Sequence, residues 1–215
     1  LDKKGILKTQ LRAILKAGST RNIKIMHPMI TNTDEIQEVK ILTEEIKQEL
    51  VKEGVNFENE IETGIMVEVP SVILMADQMC DYVDFFSIGS NDLAQYILAA
   101  DRFSQKENNP YDYYNPAVLR AINIVAEAAA EKGKKTSVCG EMAGEPVGIV
   151  ILLSFGIKTL SMSPAFIPRA RNLVRKIKIS QLEKIKKAVL NCKNSEEVRK
   201  TVKKYIKNIK GEQKL

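Results

Sequence analysis

Two carboxylates hold matching places in one stretch of the chain. Glu68 follows the short apolar run Ile65-Met66-Val67, and Asp92 follows Phe85-Phe86-Ser87-Ile88 and the turn Gly89-Ser90-Asn91. Magnesium is usually held by one or two carboxylates, with water and substrate phosphate completing its shell. A pair of acids, each at the end of its own strand, could hold that ion. Each could equally cap the helix that follows it, and spacing alone leaves metal binding and capping evenly matched. The turn Gly89-Ser90-Asn91-Asp92 can face an anion with its backbone N–H groups, or be an ordinary strand-to-helix turn. Cys139 ends the run Thr136-Ser137-Val138 and precedes Gly140-Glu141. A strand-end thiol at the same mouth could act as acid or nucleophile; packing as a small hydrophobe is the simpler reading of the pattern. Arg102, in the polar loop beyond Asp92, could clamp a phosphate or carboxylate, or be a surface arginine. His27 is the only histidine. It ends a strand before Pro28 and reads as a packed or rim side chain, not a ligand or phosphoryl carrier.

The elements that must position these residues alternate. Strands are predicted at 23–27, 65–67, 85–88, 136–139 and 158–161. Helices are predicted at 3–16, 34–53, 71–80, from Asp92 onward, 115–132 and 145–156. Two further amphipathic helices lie at about 180–210. Asn32 with Glu35, Ser180 with Glu183, and Asn194 with Glu197 have capping-box spacing. Asn115-Pro116 places an N-cap before a first-turn proline. The polar run Phe103 to Tyr114 is long for a connection inside a domain, and loops of that length are usually functional. Strand, helix and parallel strand in succession give an α/β fold with ligands at the C-terminal strand ends. Five strands cannot close an eight-strand barrel, which leaves an open parallel sheet or the C-terminal part of a barrel.

Composition narrows the classes. With 44% hydrophobic residues the chain can build a sizeable core, and no apolar run approaches the ~20 residues of a membrane span. The first residues lack a signal-peptide layout, and three widely spaced cysteines form no disulfide framework, which favours a reducing cytoplasm. The net charge of +6 is uneven. Residues 169–214 hold 16 Lys and Arg against 4 Asp and Glu, leaving 17 against 23 elsewhere. Without interleaved aromatics, the basic excess reads as the solvated face of surface helices and not as a nucleic-acid interface.

Several segments together resemble one family. GIMVEVP, VDFFSIGSNDLAQY, Asp101-Arg102 and VCGEMAG occur in the order found in the phosphoenolpyruvate-binding domain of enzyme I. Enzyme I is the phosphoenolpyruvate–protein phosphotransferase of the bacterial sugar phosphotransferase system. IMHPMI and LSMSPAFIPRAR fit the same pattern, so the resemblance runs from about Gln10 to Arg175. It implies a (β/α)₈ barrel of the TIM type, here as its last five β/α units. Residues 1–215 would form one domain, with barrel units at about 1–175 and terminal helices at about 180–210. It further implies that Glu68 and Asp92 bind Mg²⁺. Asn91, Asp92 and Arg102 would bind phosphoenolpyruvate, and Cys139 would protonate the enolate as pyruvate forms. The implied partners are an N-terminal phosphohistidine domain and, through it, the histidine-containing phosphocarrier protein. The chain itself would be a cytoplasmic homodimer with no nucleic-acid or membrane partner. His27 stands where the family usually has an apolar residue, and Ser90 where it usually has Thr. The family's barrel has earlier strands bearing further arginines, so an isolated stretch of this extent is expected to be inactive. A dikinase- or synthase-type enzyme, or a non-catalytic dimerisation module, are the alternatives.

Overall fold

Five runs rich in β-branched and aromatic residues become the strands of one parallel sheet in the computed structural model, which describes residues 4–105 and 108–211. They are β1 (Ile25–His27), β2 (Thr63–Val67), β3 (Phe85–Gly89), β4 (Lys135–Cys139) and β5 (Thr159–Ser161), paired in sequence order. A strand order that never reverses is the winding of a β/α barrel; a doubly wound sheet reverses at a switch point. The sheet is unclosed, with β1 and β5 at its edges.

Register sorts the strand residues into two faces. One face carries the rows His27–Ile65–Phe86–Thr136 and Val67–Ile88–Val138–Leu160. Its Ile65, Val67, Phe86, Ile88 and Val138 are wholly buried in the main hydrophobic core, each contributing about 1.5–3 kcal/mol. The other face carries Met26–Gly64–Phe85–Lys135, then Met66–Ser87–Ser137–Thr159, then Gly89–Cys139–Ser161. It is smaller, more polar and more exposed, and it leads to the strand ends.

The helices are α1 (Lys4–Gly18), α2 (Thr33–Lys52), α3 (Pro70–Leu74), α4 (Ala76–Met79), α5 (Ser90–Leu98), α6 (Pro116–Glu131), α7 (Pro146–Ser154), α8 (Ile167–Val174), α9 (Ile179–Leu190) and α10 (Ser195–Gly211). The predicted start of α1 at residue 3 lies outside the described residues. The stripe Ile36, Val39, Leu42, Ile46 and Leu50 of α2 is buried as its spacing predicts. Most of it meets Leu11 and Leu15 of α1 and Ile25 of β1 in a second core. The short helix α7 is apolar all round because the turn 141–144, α8, α9 and α10 cover it.

Local differences from the sequence reading have local causes. Residues 71–80 form two short helices instead of one, broken at Met75 (φ −115°, ψ 16°), whose N–H turns to Val72 O. Asn32 and Asn194 do cap, accepting the N–H groups of Glu35 and Glu197 at 3.0 and 2.9 Å. The reciprocal bonds fall one residue early, with Glu35 taking Thr31 N–H and Glu197 taking Lys193 N–H. The Ser180 box does not form, because α9 starts at Ile179 with Lys178 at its N-cap and Ser180 already inside the helix. Helix α8 escaped sequence reasoning; it is a single two-turn segment beginning Ile-Pro, too short to set a period.

Candidate active site

Glu68, Asn91, Asp92 and Cys139 all stand at the C-terminal ends of β2, β3 and β4, in adjacent strands. Glu68 is 6% exposed and one of its carboxylate oxygens accepts the Met29 N–H at 2.6 Å. Met29 follows β1 and adopts φ +57°, an uncommon backbone for a non-glycine residue, while making this contact. Burial pushes the Glu68 carboxyl above its usual range; the Met29 N–H opposes this and the charge of Asp92 adds to it. Asp92 is the third residue of α5 and not its N-cap, and Glu68 bonds across to the β1 loop instead of to α3. Neither acid therefore behaves as the helix cap that spacing alone allowed. Asp92 lies 3.9 Å from the Arg102 guanidinium, which also stacks 4.7 Å over the Phe103 ring.

Gly89 pairs with Cys139 in the register, and its missing side chain lets Met66 and Glu68 approach the strand. A Cβ there would stand 2.9 Å from Met66 Sδ and 3.4 Å from a Glu68 carboxylate oxygen. The Cys139 thiol points toward Met66 Sδ at 3.7 Å and Ile88 O at 3.6 Å. Burial pushes this thiol up, helped by the charges of Glu68 and Asp92 and opposed by a hydrogen bond with Ser87. The turn after β3 is tied to the turn after β4: the buried Ser90 hydroxyl donates to Cys139 O at 2.9 Å. Gly140 passes so close that its Cβ would come within 2.4 Å of Ser90 Oγ, and its φ of +116° is a conformation that L side chains rarely adopt.

Beside the turn, Asn91, Gly140, Glu141, Gly144, Ser161 and Ser163 line a cleft of about 390 Å³. The Asn91 side-chain oxygen is buried there without a protein partner. A larger cavity of about 740 Å³ lies between α7, α8 and α10 and contains none of these residues. Size alone would favour it, and Glu145, Arg169, Lys176 and Lys203 line it, but Glu68, Asp92 and Cys139 converge at the strand ends, where a parallel β/α sheet binds its ligands. His27 lies on the core face in a row with Ile65 and Phe86, and the Glu68 side follows the opposite face. Among the described residues, no three His, Cys, Asp or Glu side chains gather into a complete metal cage. Two carboxylates suffice for an ion that keeps water and substrate oxygens.

A family model described as the PEP-binding domain of PEP-utilising enzymes matches residues 1–179. The chain belongs to this family. Two curated relatives bear the name phosphoenolpyruvate-protein phosphotransferase. The one from Bacillus subtilis is 45% identical over 96% of this chain and 36% of its own length. The one from Mycoplasma capricolum is 41% identical over 97% of this chain and 36% of its own length. The chain thus spans about a third of the length of those relatives. In fold it also resembles a citrate lyase from Burkholderia xenovorans, with a TM-score of 0.59, 16% identity, and coverage of 97% of this chain and 70% of that one.

Sequence reasoning left some residues that shape the strand-end turns and the polar loop unnamed. Gly89 and Gly140 were visible only as turn glycines; their close approach to Glu68 and Ser90 is a tertiary fact. Glu145 accepts the hydroxyls of Tyr113 and Tyr114, each at 2.7 Å, and so fixes the polar loop to the start of α7. Paired tyrosines in a long polar loop were the available signal. Among the described residues no helix is long and apolar enough to cross a membrane.

Proposed function

We propose that this domain binds phosphoenolpyruvate with Mg²⁺ and serves a phosphoenolpyruvate–protein phosphotransferase. The reading rests on one observation: at the C-terminal ends of three adjacent strands, a buried acid, Glu68, and a thiol, Cys139, flank Gly89, while a second acid and a buried unpartnered amide oxygen stand in the turn that follows it. The donor set suits a hard cation. Glu68 is held above its usual range by burial and, to a lesser extent, by the charge of Asp92, a penalty that a nearby cation would lower. Glu68 and Asp92 would hold the ion, which when bound neutralises charge on phosphate and enolate oxygens.

The remaining work falls to the chain's own side chains. Arg102 pairs with the phosphate in place of its exposed and weak contact with Asp92. Asn91 and the N–H groups at the start of α5 orient the anion. Phosphoryl transfer needs alignment and charge neutralisation more than covalent help. The bond between phosphorus and the enol oxygen breaks as phosphorus joins a histidine nitrogen of the acceptor. The electron pair remaining on the enolate takes the Cys139 proton at carbon, giving pyruvate. A thiol raised by burial keeps that proton at neutral pH. Residues 1–215 act as one domain of the enzyme in this reading. The acceptor histidine is on a separate domain that serves the histidine-containing phosphocarrier protein, in a cytoplasmic homodimer.

Calorimetric titration with phosphoenolpyruvate, with and without Mg²⁺, tests the binding. Mg²⁺-dependent heat is expected, and is expected to vanish in Asp92→Ala; binding unchanged in that variant refutes the carboxylate assignment. Deuterium exchange into the methyl group of pyruvate, followed in an enzyme that carries this chain within a complete barrel, tests the thiol without phosphoryl transfer. Cys139→Ala should slow it by ~10²-fold or more, the usual contribution of a positioned acid.

A further inference from the structure

Arg102 sits on a loop whose other end is bound by α10, the last helix, which lies beyond the residues matched by the family model. The connection can be followed atom by atom. The Arg102 N–H donates to Gln95 Oε1 of α5 at 3.0 Å. The carbonyl of the preceding residue, Asp101, accepts the Asn109 side-chain amide at 2.7 Å, and the same amide reaches Ser104 O at 3.2 Å. Asn109 Oδ1 in turn accepts the Tyr111 N–H at 3.2 Å. The next residue, Asp112, receives both Nη groups of Arg199, at 2.6 and 2.9 Å. The Arg199 guanidinium also lies 4.6 Å over the Tyr114 ring. A bidentate fork with a ring beneath it is the arrangement in which arginine loses least freedom per bond. Nothing in the packing of α10 demands it: Val198, Val202 and Ile206 already bury that helix against the core.

We propose that Arg199 is a positioning residue for the phosphate clamp: through Asp112 and Asn109 it holds the loop so that Arg102 faces the mouth between β2 and β3. This rests on the reading of Arg102 given above. The C-terminal helix thereby takes part in the site without touching substrate. A loop cut free at Asp112 keeps its tyrosine anchors on Glu145 and its internal Asn109 bonds to Asp101 and Ser104, but loses the tie that fixes that unit to α10. Arg102 then samples more orientations, and the substrate must select among them.

The test uses Arg199→Met, which keeps stem length and ring contact but removes charge and fork, beside Arg199→Lys. Two ligands are titrated with Mg²⁺: phosphoenolpyruvate, and oxalate, a chelating dianion with no phosphate for Arg102 to meet. The expected result is about five- to tenfold weaker phosphoenolpyruvate binding in Arg199→Met, unchanged oxalate binding, and partial recovery in Arg199→Lys, whose point charge cannot fork. Equal weakening of both ligands would mark Arg199 as merely structural and overturn the proposal. Hydrogen exchange on the same proteins supplies a readout independent of any ligand. Amides of 101–105 and 108–112 are expected to exchange faster in Arg199→Met while those of α7 and α9 do not change; unaltered loop exchange overturns the proposal as well. If the unsubstituted chain binds neither ligand, the functional reading fails, and the exchange result still decides whether Arg199 holds the loop.

Discussion

Replacing Gly140 by alanine tests how rigidly the turns after β3 and β4 are locked together. Gly140 has φ +116° and ψ 179°, a region open essentially to glycine alone and costing an L residue about 1–3 kcal/mol. The added Cβ would also meet Ser90 Oγ at 2.4 Å, so the hydroxyl must leave Cys139 O. Losing a hydrogen bond in a buried place costs about 1–2 kcal/mol more. The total is about 2–5 kcal/mol, read as a shift in urea unfolding. Gly133→Ala is the internal control: its φ of +66° is also positive, but nothing lies within 4 Å of its Cβ. It should lose only about 1 kcal/mol, the ordinary penalty of the left-handed region. Ser90→Ala supplies the third arm. Alone it leaves Cys139 O without its partner; combined with Gly140→Ala it also removes the clash, so the pair should be less harmful than the sum by at least about 1 kcal/mol. If Gly140→Ala is as mild as Gly133→Ala, and Ser90→Ala shows no coupling to it, the turns are not locked by this contact and the reasoning is wrong.

Other predictions concern protonation and the Asp112–Arg199 pair. The Cys139 thiol should resist alkylation at neutral pH and react only under alkaline conditions, since burial holds its pKa up. Glu68→Gln removes a charge that helps to raise it, so the alkylation profile, followed by mass spectrometry, should move to lower pH. Burial holds the His27 imidazole below its ordinary value of 6.5, and its Nε2 is buried without a partner. The unfolded chain therefore accepts a proton that the folded chain refuses; stability is complete above about that value and falls as pH drops below it. His27→Phe should flatten this fall between pH 7.5 and pH 5.5 on unfolding curves, and an equal slope in the variant would show that another group is responsible. For Asp112, burial would raise the carboxyl, but Arg199 and the Tyr114 N–H outweigh it and hold it below 3.8. The stabilising contribution of the Asp112–Arg199 pair should accordingly persist through neutral and mildly acidic pH. It should fade only as pH falls below that value, a loss absent from Asp112→Asn.

Much of this arrangement is legible in the order of the amino acids. Strand period, the Asn32 and Asn115 caps and the apolar stripe of α2 are local properties, so the alternation of strands and helices follows from short windows of sequence. The acids can be placed at strand ends for the same reason. What stays hidden depends on separation. Asp112 and Arg199 meet across 87 positions, and Ser90 meets Cys139 O across 49. No periodicity links such residues. The choice between metal ligand and helix cap for Glu68 is also undecidable locally, because its partner, Met29 N–H, lies 39 positions earlier.

The two-faced register of the sheet divides labour within each strand. In β3, Phe86 and Ile88 face the core, while Ser87 and Gly89 face the mouth. Substitutions sampled along that strand should therefore separate by parity: alternate positions govern how much folded protein exists, and the positions between them govern what it does. Evolution can then retune the mouth with little penalty to folding. The same parity sets a boundary, because inserting one residue upstream of Phe85 would exchange the two sets and forfeit both properties at once.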